Sequence, residues 1–282
     1  MLIRTSLLSA LTAIGLWSVA PPVRGQALLP YVLPLDAERL EEQGFFLAQE
    51  AAQLAELQQY ELALAQAQLA AQLVPDSAAI LGLLGSLYLQ VEDFEASIET
   101  LNRAKTLEAD NVAVLFALGT AHFRQSNYDQ AADFLEAGLA IEPDNPGALF
   151  DLGNTYFKLE AFDTAIAQYE KSVELDPAFW PSINNIGLVQ YEQGDKTAAV
   201  NQWNESLEIA PDEPEPELAI AVAEFSQGNE ATALAIGIPA LEKDSRYADI
   251  EFLIQNLWGP NLIQDTEAFF SHPEVQAILV QL

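Results

Sequence analysis

Apolar residues recur along this chain in pairs of helical blocks. Within residues 146–179, apolar residues at spacings of three and four form two blocks on either side of Glu160-Ala161. These residues are Leu149, Leu152, Tyr156, Ala165, Ile166 and Tyr169. In the neighbouring segments the matching break holds turn residues, at Glu92-Asp93, Ser126-Asn127 and Gly194-Asp195. The pattern therefore predicts helix–turn–helix hairpins and an all-α fold.

Small and helix-ending residues recur with a period of 34 residues. Prolines are expected to end the second helix of each hairpin, because proline cannot continue a helix and biases the preceding residue towards extended backbone. They lie at Pro75, Pro143, Pro177 and Pro211, with Ala109 in the remaining place. Glycines keep the same step in the first helices, at Gly85, Gly119, Gly153 and Gly187. A residue without a side chain at these places lets the two helices of a hairpin approach closely.

This order of residues resembles the tetratricopeptide repeat (TPR). Leu84-Gly85 precedes Tyr88 and Leu152-Gly153 precedes Tyr156, whereas His122 takes the aromatic place in the intervening repeat and is expected to pack in the core. The resemblance implies a right-handed superhelical TPR solenoid of about six hairpins with a helical C-terminal cap. The expected repeats are residues 44–77, 78–111, 112–145, 146–179, 180–213 and a degenerate repeat, 214–247.

The two ends of the chain lie outside the period. Residues 1–27 combine Arg4, an apolar run and small residues before a cleavage expected near Ala27, which is typical of a secretory signal peptide. We expect export to the periplasm or, from a loose resemblance to cyanobacterial and chloroplast TPR proteins, the thylakoid lumen. An uncleaved membrane anchor over residues 3–23 is the alternative. Residues 28–43 are expected to form a lead segment, and residues 248–282 a helical cap whose apolar finish either closes the solenoid or docks a partner.

The charge and composition exclude several functions. The chain has 11 Lys and Arg against 42 Asp and Glu, a formal net charge of -31, which argues against nucleic-acid partners and adsorption to anionic bilayers. It has no cysteine and two histidines, and no motif joins a histidine to a nucleophile or to metal-ligand spacing. The glycines serve the repeat and form no phosphate-binding loop. We therefore expect a non-enzymatic protein without a cofactor, a metal or a small-molecule substrate.

The resemblance implies a concave groove lined by the first helix of each repeat. The residues at the expected groove positions are Phe116, Thr120, Phe123, Arg124, Phe150, Asn154, Phe157, Lys158, Asn184, Asn185 and Tyr191. Phe116 and Phe150 are expected to anchor a partner segment. Asn154 and Asn185 are expected to hold its backbone, since an amide both donates and accepts hydrogen bonds.

Two sets of groove residues admit a second interpretation. The aromatic residues that recur at the twelfth place of each repeat either face the groove or pack between first helices; they include Phe123, Phe157 and Tyr191. Arg124 and Lys158 either face a partner or pair with surface acids. The family's clamp for a C-terminal carboxylate needs further cations, but Phe150, Glu215 and Ala219 occupy those places. Binding of that type is therefore not expected.

Together these features predict a scaffold or adaptor that holds a segment of a partner protein in its groove. The negative field favours a basic or apolar segment. The alternative is a structural protein that associates with itself through its apolar C-terminal tail.

Overall fold

The computed structural model describes residues 36–282 of the chain. Six consecutive helical hairpins fill residues 37–243: α1 (Ala37–Glu56), α2 (Tyr60–Leu73), α3 (Ala78–Gln90), α4 (Phe94–Leu107), α5 (Val112–Arg124), α6 (Tyr128–Ile141), α7 (Pro146–Lys158), α8 (Phe162–Leu175), α9 (Trp180–Glu192), α10 (Lys196–Ile209), α11 (Pro214–Ser226) and α12 (Glu230–Lys243). A 3-10 helix (Ser245–Ala248) leads into α13 (Ile250–Gln255), α14 (Pro260–Phe270) and α15 (Pro273–Leu279). Residues 36–282 contain no β-strand. The all-α solenoid with a helical cap is confirmed.

The N-terminal predictions fall largely beyond this region. The predicted signal peptide, residues 1–27, and residues 28–35 of the lead segment lie outside the described residues. The end of the lead segment belongs to α1, which begins at Ala37. None of the helices in residues 36–282 combines the length and the apolar character that a membrane span requires.

The second helix of a hairpin ends two residues before the place of the recurring proline. The helices α2, α6, α8 and α10 end in this way before Pro75, Pro143, Pro177 and Pro211. Helix α4 ends at Leu107, two residues before Ala109, so the helix stops there without a proline. The following first helices are capped by Ser77, Asn111 and Asn145, whose side chains accept backbone N–H groups as N-caps do.

The turn inside each hairpin contains one residue in the left-handed backbone region, and this residue also recurs every 34 positions. In the first four hairpins it is not glycine, with φ between 59° and 62°; these residues are Gln58, Glu92, Ser126 and Glu160. Gly194 and Gly228 take the same place in the last two, with φ of 89° and 86°. Because side chains disfavour this region, the packing of the flanking helices holds the first four turns in it.

The recurring glycines are covered by a large side chain of the second helix in the same hairpin. A Cβ atom at Gly85 or Gly119 would lie within 2.6 Å of a leucine, and one at Gly187 within 2.5 Å of Trp203. Trp203 is fully buried, and its Nε1 donates to the backbone oxygen of Asn184. The hairpin interior is therefore packed to contact distance, as the pattern of small residues predicts.

The first helices of successive hairpins lie side by side. Helices α1, α3, α5 and α7 each contact the next first helix in the series. Helices α9 and α11 also contact α14 of the cap, and α12 contacts α15. We call the surface formed by α5, α7, α9 and α11 the inner face.

Candidate protein-binding site on the inner face

The chain covers part of its own inner face. Residues 252–265, here called the crossing segment, contribute Leu253, Leu257, Trp258 and Leu262 to the buried core. Cavities lined by residues of α5, α7 and α9 are also lined by residues of this segment. The C-terminal cap therefore lies across the first helices as well as beyond the last hairpin.

Glu192, the last residue of α9, fixes the crossing segment where α14 begins. Its two carboxylate oxygens accept the backbone N–H groups of Asn261 and Leu262, each at 3.0 Å. N–H groups in the first turn of a helix have no partner within the helix, and Glu192 supplies one here. The helix dipole also favours a negative charge at this end of α14. A side chain at Gly259 would collide with this carboxylate, so the glycine permits the approach.

Asp265 in α14 joins the cap to the hairpin of α9 and α10. Its carboxylate oxygen lies 2.5 Å from the Tyr191 hydroxyl and 2.6 Å from Nζ of Lys196. Lys196 also lies 4.9 Å from the centre of the Tyr191 ring. The three groups form a partly buried charged cluster between α9 and α14.

Glu215 in the first turn of α11 meets the crossing segment at Trp258. The indole Nε1 donates to a carboxylate oxygen at 3.1 Å, and Glu215 is only 8% exposed. Burial raises the pKa of Glu215 to about 7, because the charged form loses its hydration. Hydrogen bonds from Trp258, Asn184 and Tyr247 offset part of this effect.

The predicted amide residues form a buried hydrogen-bonded chain. The Asn184 side-chain nitrogen donates to Asn185 at 3.1 Å, and Asn185 donates to Asn154 at 2.9 Å. The Asn154 oxygen also accepts the Tyr169 hydroxyl at 2.8 Å. The Asn184 side-chain oxygen is buried and has no hydrogen-bond partner among the described residues. The side-chain oxygens of Asn154 and Asn185 are therefore used within the chain, whereas the buried oxygen of Asn184 is not.

Thr120 approaches a partly buried carboxyl group on the neighbouring first helix. Its hydroxyl oxygen lies 3.2 Å from an Asp151 carboxylate oxygen, which links α5 to α7. Burial raises the pKa of Asp151 to about 6, and the hydrogen bond from Thr120 offsets a smaller part. The inner face thus carries two desolvated acids, Asp151 and Glu215.

The two predicted aromatic anchors have different surroundings. Phe116 packs its ring over Gly138 of α6, within its own hairpin. Phe150 lies between the rings of Tyr169 and Phe179, at centroid distances of 5.9 and 5.4 Å, and its half-buried ring lines a cavity of the inner face. Of the two side chains, Phe150 is the one placed beside the crossing segment.

The three twelfth-place aromatic residues of the predicted groove differ in burial. Phe123 is half-buried and lines two cavities next to Leu257. Phe157 is 6% exposed and packs near the Phe162 ring, and Tyr191 is 1% exposed. Phe157 and Tyr191 therefore pack within the molecule in this conformation, and Phe123 retains an accessible edge.

The two predicted groove cations also differ. Arg124 forms an ion pair with Glu92 at 3.0 Å and lies over the Phe94 ring. Lys158 lines two cavities, of about 650 and 670 Å³, beside the crossing segment. Arg124 thus has a surface partner within the chain, whereas Lys158 lies beside the larger open spaces.

Five of the predicted residues meet around one smaller cavity of about 280 Å³, next to the crossing segment. They are Phe123, Phe150, Asn154, Asn184 and Asn185. Sequence reasoning missed the acids of this region, Asp151, Glu192, Glu215 and Asp265, as contacts of the inner face. A signal existed for Glu215, because the same place in the four preceding repeats holds Ala79, Ala113, Gly147 and Pro181.

The acidic and histidine side chains of residues 36–282 are the candidates for a metal site, and His122 among them is predicted to pack in the core. Residues 36–282 contain no group of three acidic or histidine side chains positioned to hold a metal ion. His122 stacks on Phe134 with ring centroids 5.3 Å apart, and burial lowers the pKa of its imidazole. Its environment is that of a packed side chain.

Family models for the tetratricopeptide repeat match this chain at residues 78–111, 116–179 and 150–214. A comparison with curated proteins finds no match. The matched residues include most of the inner face described above.

Several solved structures have a similar fold. Pseudomonas aeruginosa pilF is 15% identical with a TM-score of 0.63, and the match covers 82% of this chain and 99% of that protein. YrrB, described as a TPR protein with an unusual peptide-binding site, is 20% identical with a TM-score of 0.53, over 64% and 92% of the two chains. MamA from Desulfovibrio magneticus RS-1 is 18% identical with a TM-score of 0.56, over 60% and 96%. At these identities the likeness concerns the fold. The family models show tetratricopeptide repeats at residues 78–111 and 116–214, and the structure stacks them in an all-α solenoid against which the C-terminal helices pack.

Proposed function

We propose that this protein is a non-enzymatic adaptor that holds a segment of a partner protein on its inner face. The observation that carries the proposal is the crossing segment, a stretch of polypeptide that already lies there. Glu192 accepts two of its backbone N–H groups, and buried side chains of the repeats surround Trp258. The inner face therefore offers the contacts by which an extended or helical segment is recognised.

The space for a partner lies beside the crossing segment. Lys158 lines both of the larger cavities and Phe123 lines one of them, together with residues of the segment itself. A net charge of -31 steers basic segments towards this surface and disfavours acidic ones. The description of YrrB as having a peptide-binding site supports the same use of a related fold.

A displayed library of random peptides, selected against the full chain, tests the proposal. Gln255 is exposed and lines two cavities, so Gln255→Trp fills the space without disturbing the core. We expect it to weaken the selected peptides at least about tenfold. Gln276→Trp, at an exposed position in α15, is the matched control and should leave binding unchanged. Peptides that tolerate Gln255→Trp would contradict the proposal.

We further propose that the protein acts outside the cytoplasm, after residues 1–27 have directed its export. The proposal is supported by the basic start, apolar run and small residues of that segment. Expression of the full chain in a bacterium, followed by fractionation and mass spectrometry, tests it. An exported product that begins near Ala27 or Leu28 supports cleavage. A product in the membrane fraction that retains residues 3–23 supports the anchor, and an uncleaved cytoplasmic product overturns both.

The apolar C-terminal tail does not support self-association as a second function. Val275 is fully buried, and α15 packs against α12 and α14. Val280 and Leu282 are exposed, and they form a short terminal patch. Within the tail, Val275 is thus buried by the chain itself, Ile278 and Leu279 are half-buried, and the exposed large apolar side chains are confined to the last residues.

A further inference from the structure

The smallest of the inner-face cavities has the dimensions of a single side chain. It encloses about 280 Å³, and its walls include Phe150, Trp180, Asn184, Glu215 and Leu257. Pockets for whole small molecules are generally about 300–1,000 Å³. A part of a larger ligand fits this space better than an entire cofactor does.

Its buried acid has no cationic partner within the chain. Glu215 is 8% exposed, and among residues 36–282 no Lys, Arg or His forms an ion pair with it. The nearby charge that acts on it is a second acid, Glu213. The hydrogen bonds to Glu215 offset only part of its desolvation, so the charged carboxylate costs stability unless a proton or a cation neutralises it.

The hydrogen bonds among the three asparagines also indicate that a donor is missing from this cavity. Asn184 donates a hydrogen bond to Asn185, and Asn185 donates one to Asn154. The Asn154 oxygen therefore has a donor from within the protein. At the other end, the Asn184 side-chain oxygen is an acceptor without a partner. Asn184 and Glu215 both line the cavity. The Asn184 oxygen lacks a hydrogen-bond donor and Glu215 lacks a cation, so one positively charged donor would satisfy both residues.

We infer that this cavity binds a guanidinium or ammonium group, namely the side chain of an arginine or lysine in the partner segment. The cation would pair with Glu215 and donate to the Asn184 oxygen. The rings of Phe150 and Trp180 supply apolar walls and π faces, on which a guanidinium group stacks favourably. The inference rests on the proposed function, since it names the chemistry that the inner face selects in a partner.

A titration with minimal ligands tests it directly. The full chain, labelled with nitrogen-15, is titrated with N-acetyl-arginine amide and, separately, with N-acetyl-citrulline amide, which is similar in shape but uncharged. We expect the arginine probe to shift the indole signals of Trp180 and Trp258 and the side-chain amide signals of Asn184 in a saturable manner. The citrulline probe should bind at least about tenfold more weakly, because it lacks the charge that Glu215 requires.

Two variants with the same change in charge separate the site from the general field. Glu215→Gln should reduce the affinity for the arginine probe at least about tenfold. Asp212→Asn removes one negative charge at an exposed position three residues away and should change it less than about twofold. Equal affinities of the two probes would overturn the inference. It would also be overturned if Asp212→Asn weakened binding of the arginine probe as much as Glu215→Gln does. Shifts of the wild-type chain confined to residues away from the cavity would also overturn it, without any need for a folded variant.

Comparison with longer ligands distinguishes this inference from the proposed function. Selected peptides with a fixed arginine or lysine should bind more tightly than the isolated amide and compete with it. Peptides that bind the inner face without any basic residue would overturn the inference and leave the adaptor proposal intact. Binding of the free amide with no gain in any peptide would instead assign the cavity to a small cationic molecule and overturn the partner assignment.

Discussion

The indole nitrogen of Trp258 lies 3.1 Å from a carboxylate oxygen of Glu215, 43 residues earlier in the chain. Both residues are buried, and they connect the crossing segment to the first turn of α11. Sequence patterns assign an acidic residue such as Glu215 to the surface. This contact instead places it in the buried interface between the inner face and the crossing segment. The same contact makes the stability of the cap sensitive to the protonation of Glu215.

We expect the protein to become less stable as the pH rises from 5 to 8. Burial raises the pKa of Glu215 from 4.5 to about 7 and that of Asp151 from 3.8 to about 6. The folded state therefore binds more protons than the unfolded state in this range, and each contribution is lost as the pH rises through the folded pKa. For Glu215 the loss is on the order of 3 kcal/mol in the free energy of unfolding.

Urea denaturation at several pH values measures this effect. Glu215→Gln should be more stable than the wild type at pH 8. Its free energy of unfolding should also decrease less between pH 5 and 8. Asp212→Asn, at an exposed position, should keep the wild-type dependence. If the free energy of unfolding of Glu215→Gln depended on pH as strongly as that of the wild type, ionisation of this carboxyl group would not reduce stability.

Removal of the Asp265 carboxylate should loosen the cap selectively. Asp265→Ala removes the carboxylate shared by the Tyr191 hydroxyl and the Lys196 ammonium and leaves them only the Ser226 hydroxyl as a common acceptor. We expect a loss of about 2 kcal/mol in the free energy of unfolding, because the cluster is only partly buried. Hydrogen exchange should accelerate in residues 250–282 and stay unchanged in residues 60–141. Glu267→Ala, an exposed acid on the same helix, is the control, and similar acceleration there would contradict the assignment.

A methyl group at Gly187 should be destabilising. A Cβ at this place would lie 2.5 Å from the Trp203 indole, which is fully buried and cannot move aside without loss of its hydrogen bond to Asn184. We expect Gly187→Ala to cost about 1–3 kcal/mol in the free energy of unfolding, measured by chemical denaturation. Gly147→Ala adds the same methyl group where the nearest atom is 3.6 Å away and should be neutral or stabilising. Equal effects of the two substitutions would argue against close packing at Gly187.

Replacement of a left-handed turn residue by glycine should stabilise the protein. Glu160 has a φ of 59°, a region that glycine adopts without steric cost. We expect Glu160→Gly to raise the free energy of unfolding by up to about 1 kcal/mol. The reverse change, Gly194→Ala at a φ of 89°, should lower it by about the same amount. Destabilisation by Glu160→Gly would mean that its side chain contributes more than the strain costs.

The repeating part of the fold was predictable because its contacts are local. Each hairpin is defined by residues within 34 positions of one another, such as Gly187 and Trp203, so the period alone indicates which residues meet. Even the place of the left-handed residue follows the period, although Glu92 and Ser126 give no sign of it by residue type. At these turns the packing of the helices determines the backbone more strongly than the local preference does.

The candidate site was predictable only in part, because the crossing segment makes distant contacts that no period encodes. Asn154 and Asn185 were identified from their places in the repeat, and they do lie together beside a cavity. The contacts of Glu192 with Leu262 and of Tyr191 with Asp265 join residues 70 and 74 positions apart. Whether the predicted groove residues bind a partner stays a prediction.

The crossing segment is hydrogen-bonded to two successive first helices, and this limits where hairpins can be inserted or removed. Leu262 binds α9 through Glu192, and Trp258 binds α11 through Glu215, so the last two hairpins and the cap form a single indivisible module. Upstream of α9 each hairpin packs mainly on its neighbours, although the crossing segment still lines cavities with α5 and α7. The molecule should therefore tolerate an added or deleted hairpin upstream of α5 better than an insertion between α10 and α11, which would separate Glu192 from Glu215 and break both attachments of the crossing segment.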